Sequence, residues 1–256
     1  MFKLIAVLLS LSSATTGDLN LPVSTKSSFR EVSSVQSKRH APVEDSVQDV
    51  IDGHPELLGN SEYDYEEFVW KLNMTPERKK APYSALTQDE AVSIMAYTSE
   101  LYQEINRRLR LGEPLDEFKV LVDSINSGLK RLPDYRGIVY RSSADLSAKL
   151  EAEHREGCVV DYPAFTSSSL SGFHEQFGTK HFLISSMHGK DISPISIHYQ
   201  RDSEREVLFA SGTHFQVLKP DLFEGRPAVF LKETAEVADT IICRQKKAQV
   251  ENPPGH

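Results

Sequence analysis

Glu204-Arg205-Glu206-Val207-Leu208-Phe209 sets two carboxylates at i and i+2 directly against an apolar run. In an extended chain, side chains two positions apart project from the same side, so both carboxylates can reach one small volume. Val207, Leu208 and Phe209 read as a buried strand, stiff enough to hold them there. Such a pair can stabilise a developing cation and hold a cationic partner beside it. A second copy of the spacing, Glu151-Ala152-Glu153, reads as ordinary helix surface. What lies upstream raises the first copy above that background.

Two further elements precede it. Ile138-Val139-Tyr140 is a short strand ending at Arg141, and the run Phe165-Thr166-Ser167-Ser168-Ser169-Leu170 follows. Taken singly, an arginine at a strand end is usually solvated, a serine run is usually a loop, and acidic residues flanking an arginine are usually surface. Their occurrence together and in this order is far less expected by chance.

The rest of the chain reads as helices first and strands later. Tyr65 to Leu72 carries apolar residues at helical spacing and the only tryptophan, Trp70. Thr87 and Glu90 form a capping box, in which hydroxyl and carboxylate each take an orphan amide of the first turn. Val92, Met95, Tyr97, Leu101, Ile105 and Leu109 then make one apolar stripe, read as core, that stops at Gly112 and Pro114. A second helix is expected from Leu115 to Leu132, and another around Leu146 to Glu156.

Short strands are expected at Val159-Val160, Ala164 to Ser168, His181 to Ser185, Ile195 to Tyr199, Val207 to Ala210, His214 to Leu218, Ala228 to Leu231 and Thr240 to Arg244. A helical N-terminal lobe followed by many short strands implies an α+β fold with two packed, mostly antiparallel sheets.

The termini and composition set further bounds. Residues 1–17 read as a signal peptide: Lys3, an apolar stretch from Leu4 to Leu11, and small residues at Ser12-Ser13-Ala14. That stretch is too short to span a bilayer, so a secreted protein is expected. Residues 18–60 read as a flexible leader or pro-region with no sustained period and room for a transient helix, 61–250 as one folded domain, and 251–256 as a disordered tail. The net charge of −8 argues against a nucleic-acid partner, since phosphate contacts want a basic face. Cys158 and Cys243 can form one bridge or remain two thiols, and neither has neighbours at metal-ligand spacing, so no metal is expected.

The three elements resemble the R-S-E class of mono-ADP-ribosyltransferases, which includes bacterial toxins and vertebrate ecto-enzymes. Tyr140-Arg141 matches that class's aromatic-Arg strand, and Phe165-Thr166-Ser167-Ser168-Ser169-Leu170 its serine strand, with Ser168 where threonine is usual. Glu204-Arg205-Glu206-Val207-Leu208 matches its E-x-E strand, and Thr213-His214-Phe215-Gln216-Val217 the strand that follows. The likeness covers roughly residues 86–218. Departures are Ser142, where glycine usually follows the motif arginine, and Ala210-Ser211, where two prolines are common. The low cysteine count is closer to a secreted bacterial toxin or effector than to the vertebrate enzymes.

The resemblance implies an NAD-binding cleft between the two sheets, with NAD+ as co-substrate and no metal. It places Arg141, Ser167, Glu204 and Glu206 as catalytic. Arg141, Ser142, Ser167, Ser169, Phe173, Phe177 and Glu206 would contact the dinucleotide, though which phenylalanine faces nicotinamide is open. A guanidinium suits the diphosphate, Ser167 braces the site, and Glu206 stabilises positive charge on the ribose as the nicotinamide bond breaks. Glu204, a glutamate and not a glutamine, implies an arginine acceptor, with Tyr199 as a substrate contact. The partner is then a target protein bearing a reactive arginine, met by a monomer.

Two other readings stand beside it: an NAD+ glycohydrolase on the same fold, and a secreted binding module with no chemistry. A glycosidase is disfavoured, because carboxylates at i and i+2 lie on one side of a substrate instead of flanking a bond.

Overall fold

The computed structural model describes residues 45–60, 62–144, 154–199 and 205–235. The signal segment, most of the leader, most of the helix expected near residue 146, the strand expected at 240–244, Glu204, Cys243 and the tail lie outside the described residues. The described residues fall in one compact unit, Val43–His256.

Five α-helices form the N-terminal part: α1 (Val47–Gly53), α2 (Tyr65–Met74), α3 (Gln88–Ala96), α4 (Tyr102–Leu111) and α5 (Lys119–Arg131). Helix α1 corrects the expectation that the leader through residue 60 is flexible with room only for a transient helix. Ser46 and Asp49 make a complete capping box, and Val47, Val50 and Ile51 are buried against α3 and α5. Spacing of i, i+3 and i+4 gives even this short helix an apolar face, and tertiary packing stabilises what the local sequence signals weakly. The Thr87–Glu90 capping box is also complete, and Glu90 reaches on to Ser127 at 2.7 Å and Arg131 at 2.8 Å, tying α3 to α5.

The single helix expected from Thr87 to Leu109 is broken. Tyr97–Leu101 forms a π-helical turn between α3 and α4, with Ser99 outside helical geometry at ψ −155°. Hydroxyls capture the loosened carbonyls, Thr98 that of Met95 at 2.7 Å and Ser99 that of Ala96 at 2.5 Å. Helix α4 ends where expected, at Gly112 in the left-handed conformation.

The strands are β1 (Tyr135–Ser143), β2 (Val159–Tyr162), β3 (Thr166–Ser169), β4 (Lys180–Asp191), β5 (Glu206–Phe209), β6 (Thr213–Val217), β7 (Asp221–Phe223) and β8 (Arg226–Thr234). They bond in the order β1-β3-β5-β4-β8-β6-β2, with β7 on β8 and a further β1–β4 pairing. All pairings are antiparallel except β4–β8. The long strand β4 serves both halves: its earlier residues pair with β1 and β8, while Lys190 and Asp191 pair with Leu208 and Val207 of β5. In place of two separate sheets, the eight strands are hydrogen-bonded into one sheet, whose two halves are joined through β1 and β4.

Residues Ile195 to Tyr199 do not form the expected strand. Ser193–Ile195 is a 3-10 turn with Pro194 at its start, and Ile192 and Ile195 are buried among the helices. Hydrophobic residues there serve the helical core, and the proline removes an amide that a ladder would need.

Two apolar cores meet at β5. Leu208 packs with the helices and with Phe165, whereas Val207 and Phe209 pack with Val139, Phe182, Ile184, Phe215 and Leu231. A strand buried on both faces explains the uninterrupted Val-Leu-Phe run. Cys158 sits in the second core and is disulfide-bonded.

Candidate active site

The register of β3 against β5 decides which side chains meet. Ser167 stands opposite Leu208, and Ser169 opposite Glu206. Cross-strand partners share a face, and residues two apart on one strand share it too. Ser167, Ser169 and Glu206 are thus on the face of Leu208, toward the helices. Glu206 is half-buried, and its backbone is clamped: its N–H donates to the Ser193 hydroxyl at 2.9 Å and its carbonyl accepts from Ile192 at 2.9 Å.

Arg141 comes to the same place from β1. Its Nη1 donates to the Ser167 carbonyl at 2.5 Å, and Tyr140 is the partner of Ser169 across the β1–β3 pairing. The arginine strand, the serine strand and the acidic strand, distant in sequence, are therefore assembled side by side.

The π-helical turn contributes the residue that joins them. The hydroxyl of Tyr97 accepts from Asn106 Nδ2 at 2.9 Å and shares a hydrogen bond with the Ser167 side chain. Burial pushes this phenol well above its usual pKa, the nearby Glu206 carboxylate adds to the rise, and Arg141 opposes it. One buried hydroxyl thus feels Ser167, Glu206 and Arg141 together. Asn106 Oδ1 is buried with no hydrogen-bond partner among the described residues.

Arg110, one helical turn beyond Asn106, completes the cluster. Protein packed around it, and then the like charge of Arg141, hold its pKa below the ordinary arginine value, while its side chain remains open to solvent. Two guanidiniums that repel one another leave a place suited to a dianion.

Tyr97 was legible only as part of an apolar stripe, and Asn106 and Arg110 carried no reading at all. A signal was present, however. Asparagine is a poor helix-interior residue, and one placed mid-helix among buried neighbours marks a polar partner inside.

Ser142 and Ser169 converge on a different neighbour, His174. The Ser142 hydroxyl accepts from the His174 N–H at 3.1 Å and lies 3.3 Å from His181 Nδ1, while Ser169 Oγ is 3.0 Å from His174 Nε2. These contacts fasten the segment carrying both phenylalanines. Phe173 is packed at ring distances of 4.4 Å from His181 and 5.3 Å from Tyr140. Phe177 is 54% exposed, which leaves its ring available to a ligand.

Tyr199 donates its hydroxyl to Glu77, on the 3-10 turn Pro76–Lys79 after α2. Glu204 lies outside the described residues, two positions before Glu206.

The NAD:arginine ADP-ribosyltransferase family matches residues 60–239. Mav of Mycobacterium avium (strain 104), named for NAD(+)–arginine ADP-ribosyltransferase, is 33% identical over 141 residues, 54% of this chain and 17% of the relative. Tre1 of Serratia proteamaculans (strain 568), an NAD(+)–protein-arginine ADP-ribosyltransferase, is 30% identical over 145 residues, 56% of this chain and 31% of the relative. The matched part of the chain thus spans less than a third of either relative's length. In fold, the chain resembles the type III effector XopAI from Xanthomonas axonopodis pv. citri, with a TM-score of 0.57 at 21% identity, covering 74% of this chain and 88% of that one. The match covers well over half of the sequence, and the chain belongs to the NAD:arginine ADP-ribosyltransferase family.

Proposed function

We propose that this chain cleaves NAD+ at the bond between nicotinamide and ribose and transfers the ADP-ribose to a protein arginine. The observation that carries this reading is the convergence of Arg141, Ser167 and Glu206 on the buried hydroxyl of Tyr97. Arg141 and Arg110 would grip the diphosphate, whose two negative charges answer the two guanidiniums. Phe177, the exposed ring of the pair, would cover the nicotinamide end, while Phe173 and His174 hold its segment in place.

As the glycosidic bond breaks, its electron pair leaves with nicotinamide, and positive charge develops on the ribose. Glu206, held by its clamped backbone, is aimed at that charge and stabilises the transition state more than the ground state. Ser167 and Tyr97 would keep the carboxylate and the ribose in register.

A guanidinium nitrogen of the acceptor then attacks the anomeric carbon and must give up a proton. Arginine is protonated near neutral pH, so it needs a carboxylate beside it, and Glu204, two positions before Glu206 in the sequence, would supply one. Fold resemblance to a type III effector supports a role directed at another cell's proteins.

The test is incubation with labelled NAD+ and agmatine, following nicotinamide release and labelled product together. Both should appear. Release without labelled agmatine would reassign the acceptor to water, and absence of both would refute the reading.

A further inference from the structure

We propose that Asp191 is a positioning residue for Glu206, acting through the hydroxyl of Ser193. The inference rests on the role given to Glu206 above and adds the group that holds its backbone. Asp191 belongs to none of the three motifs.

The need for it arises where the β4–β5 ladder ends. Lys190 pairs with Leu208 and Asp191 with Val207, so Glu206 lies one residue past the last pair. There the chain leaves β4 and enters the 3-10 turn Ser193–Ile195. The Glu206 carbonyl still meets a backbone donor, the Ile192 N–H at 2.9 Å. Its N–H meets a side chain instead, the Ser193 hydroxyl at 2.9 Å. In an antiparallel ladder both backbone groups of one residue point to the same neighbour, so β3 on the other side holds neither. Glu206 is also the first residue of β5, where a strand frays most readily.

A hydroxyl has one proton and two lone pairs, so its role depends on where the proton goes. Two acceptors are within reach of Ser193 Oγ: Asp191 Oδ1 at 2.6 Å and the Glu206 carbonyl at 3.4 Å. The carboxylate takes the proton, because a charge-assisted bond is shorter and stronger than one to a carbonyl. With its proton so committed, the serine oxygen is left to accept, and the Glu206 N–H is the donor in front of it. The same Asp191 oxygen receives the Ser193 N–H at 3.0 Å, which fixes the serine against the end of β4.

Asp191 is itself held in place. Its carbonyl accepts from the Tyr83 hydroxyl at 3.1 Å, and Lys190 beside it donates to the Leu132 carbonyl at 2.9 Å and to Asp134 at 2.6 Å. Ile192 and Ile195, on either side of Ser193, are buried among the helices. A rigid frame thus runs from the helices through Asp191 and Ser193 to the backbone of Glu206. Misplacing a reacting group by about 1 Å can cost about a hundredfold in rate, so loosening this frame is read in turnover. Binding of NAD+ falls to Arg141, Arg110 and Phe177, which stand on other elements. The prediction is a split between kcat and KM.

The experiment uses the full chain, measuring kcat and KM for nicotinamide release from NAD+ at a temperature where circular dichroism shows every variant folded. Asp191→Ala and Ser193→Ala should each lower kcat about tenfold, with KM for NAD+ within about twofold. The double variant should be no worse than either, because both changes remove one contact. Asp191→Asn keeps an oxygen for the hydroxyl and should return kcat to within about threefold of the natural chain. On a Glu206→Ala background, Asp191→Ala should change the remaining rate by less than about twofold. Lys190→Met loosens the same end of β4 without touching the hydroxyl. It should lower the unfolding temperature and leave kcat within about twofold.

Unchanged kcat in Asp191→Ala would overturn the proposal, as would additive losses in the double variant. An equal loss in Lys190→Met, or a further loss of about tenfold on the Glu206→Ala background, would overturn it too, since either marks a general loosening of the fold. A natural chain that releases no nicotinamide would sink the reading on which this rests, and the proposal with it. Normal release by the natural chain with unaffected variants would sink the proposal alone.

Discussion

Ser169 and Glu206 face one another across the β3–β5 ladder, and that one register places the serine strand and the acidic strand on a common face. A slip of one residue would turn Glu206 into the second core, against Phe182 and Phe215, and bring Val207 out. The packing of Val207 and Phe209 into one core, with Leu208 in the other, opposes the slip, because it would mismatch both cores and turn a charge toward an apolar face. Structural burial thereby sets the aim of the carboxylate.

Removing that carboxylate should be felt in every reaction of the site. Glu206→Ala is expected to lower NAD+ hydrolysis and transfer together by at least a hundredfold, about 3–4 kcal/mol of transition-state stabilisation. Glu204→Ala should instead lower the ratio of transfer to hydrolysis at least tenfold. Parallel initial-rate assays of nicotinamide release and agmatine labelling decide it. Equal losses in the two variants would remove the acceptor role from Glu204.

Tyr97→Phe deletes the hydroxyl that Asn106 and Ser167 share. Leaving a buried amide donor without its acceptor costs on the order of 1–3 kcal/mol, so thermal unfolding should shift down. Nicotinamide release should also fall about tenfold, because Ser167 loses its brace. A wild-type rate in a destabilised Tyr97→Phe protein would make the hydroxyl a folding device only.

Gly178 closes the segment that carries Phe173 and Phe177. It sits at φ +132°, and a Cβ built there would stand 1.8 Å from the Ser143 carbonyl oxygen. Gly178→Ala must therefore push the segment off the end of β1, at a cost on the order of 1–3 kcal/mol. The expected readout is a rise of at least tenfold in the KM for NAD+, with a lowered unfolding temperature. If KM held while stability fell, Phe177 would have no part in holding the dinucleotide.

Acid stability should carry the signature of Glu104. Its hydrogen bonds with Arg107 and then Arg108 pull its carboxyl from 4.5 down to about 2. A group whose folded pKa is depressed contributes stability that is fully present above its unfolded value and is lost as pH falls toward the folded one. The loss should therefore run from about pH 4.5 to about pH 2. Glu104→Gln should be less stable at pH 7, by roughly 0.2–1 kcal/mol for each partly exposed pair it removes, and the gap should close by pH 2. Urea midpoints of both proteins at pH 7, 4 and 2 test this. A gap of constant size across that range would show that the arginines pair elsewhere.

Much of this molecule can be read from local chemistry. The Thr87–Glu90 capping box, the Gly112 stop, the apolar run after Glu206 and the serine strand each declare themselves through spacing and residue type, and together they specify an α+β chain with three ordered motifs. Periodicity carried that information because helices and strands repeat at different intervals.

Tertiary structure decided the rest. Whether Tyr97 is core or site depends on a π-helical turn that shifts the phase of the helix after it, and on which strand faces its hydroxyl. That Ile195 packs on helices while Phe173 stacks on His181 and Phe177 does not depends on contacts between residues far apart in the chain. A hydrophobic side chain looks the same in sequence whichever core it joins. Only the assembled register, which trades apolar burial on one face against charge on the other, selects between them.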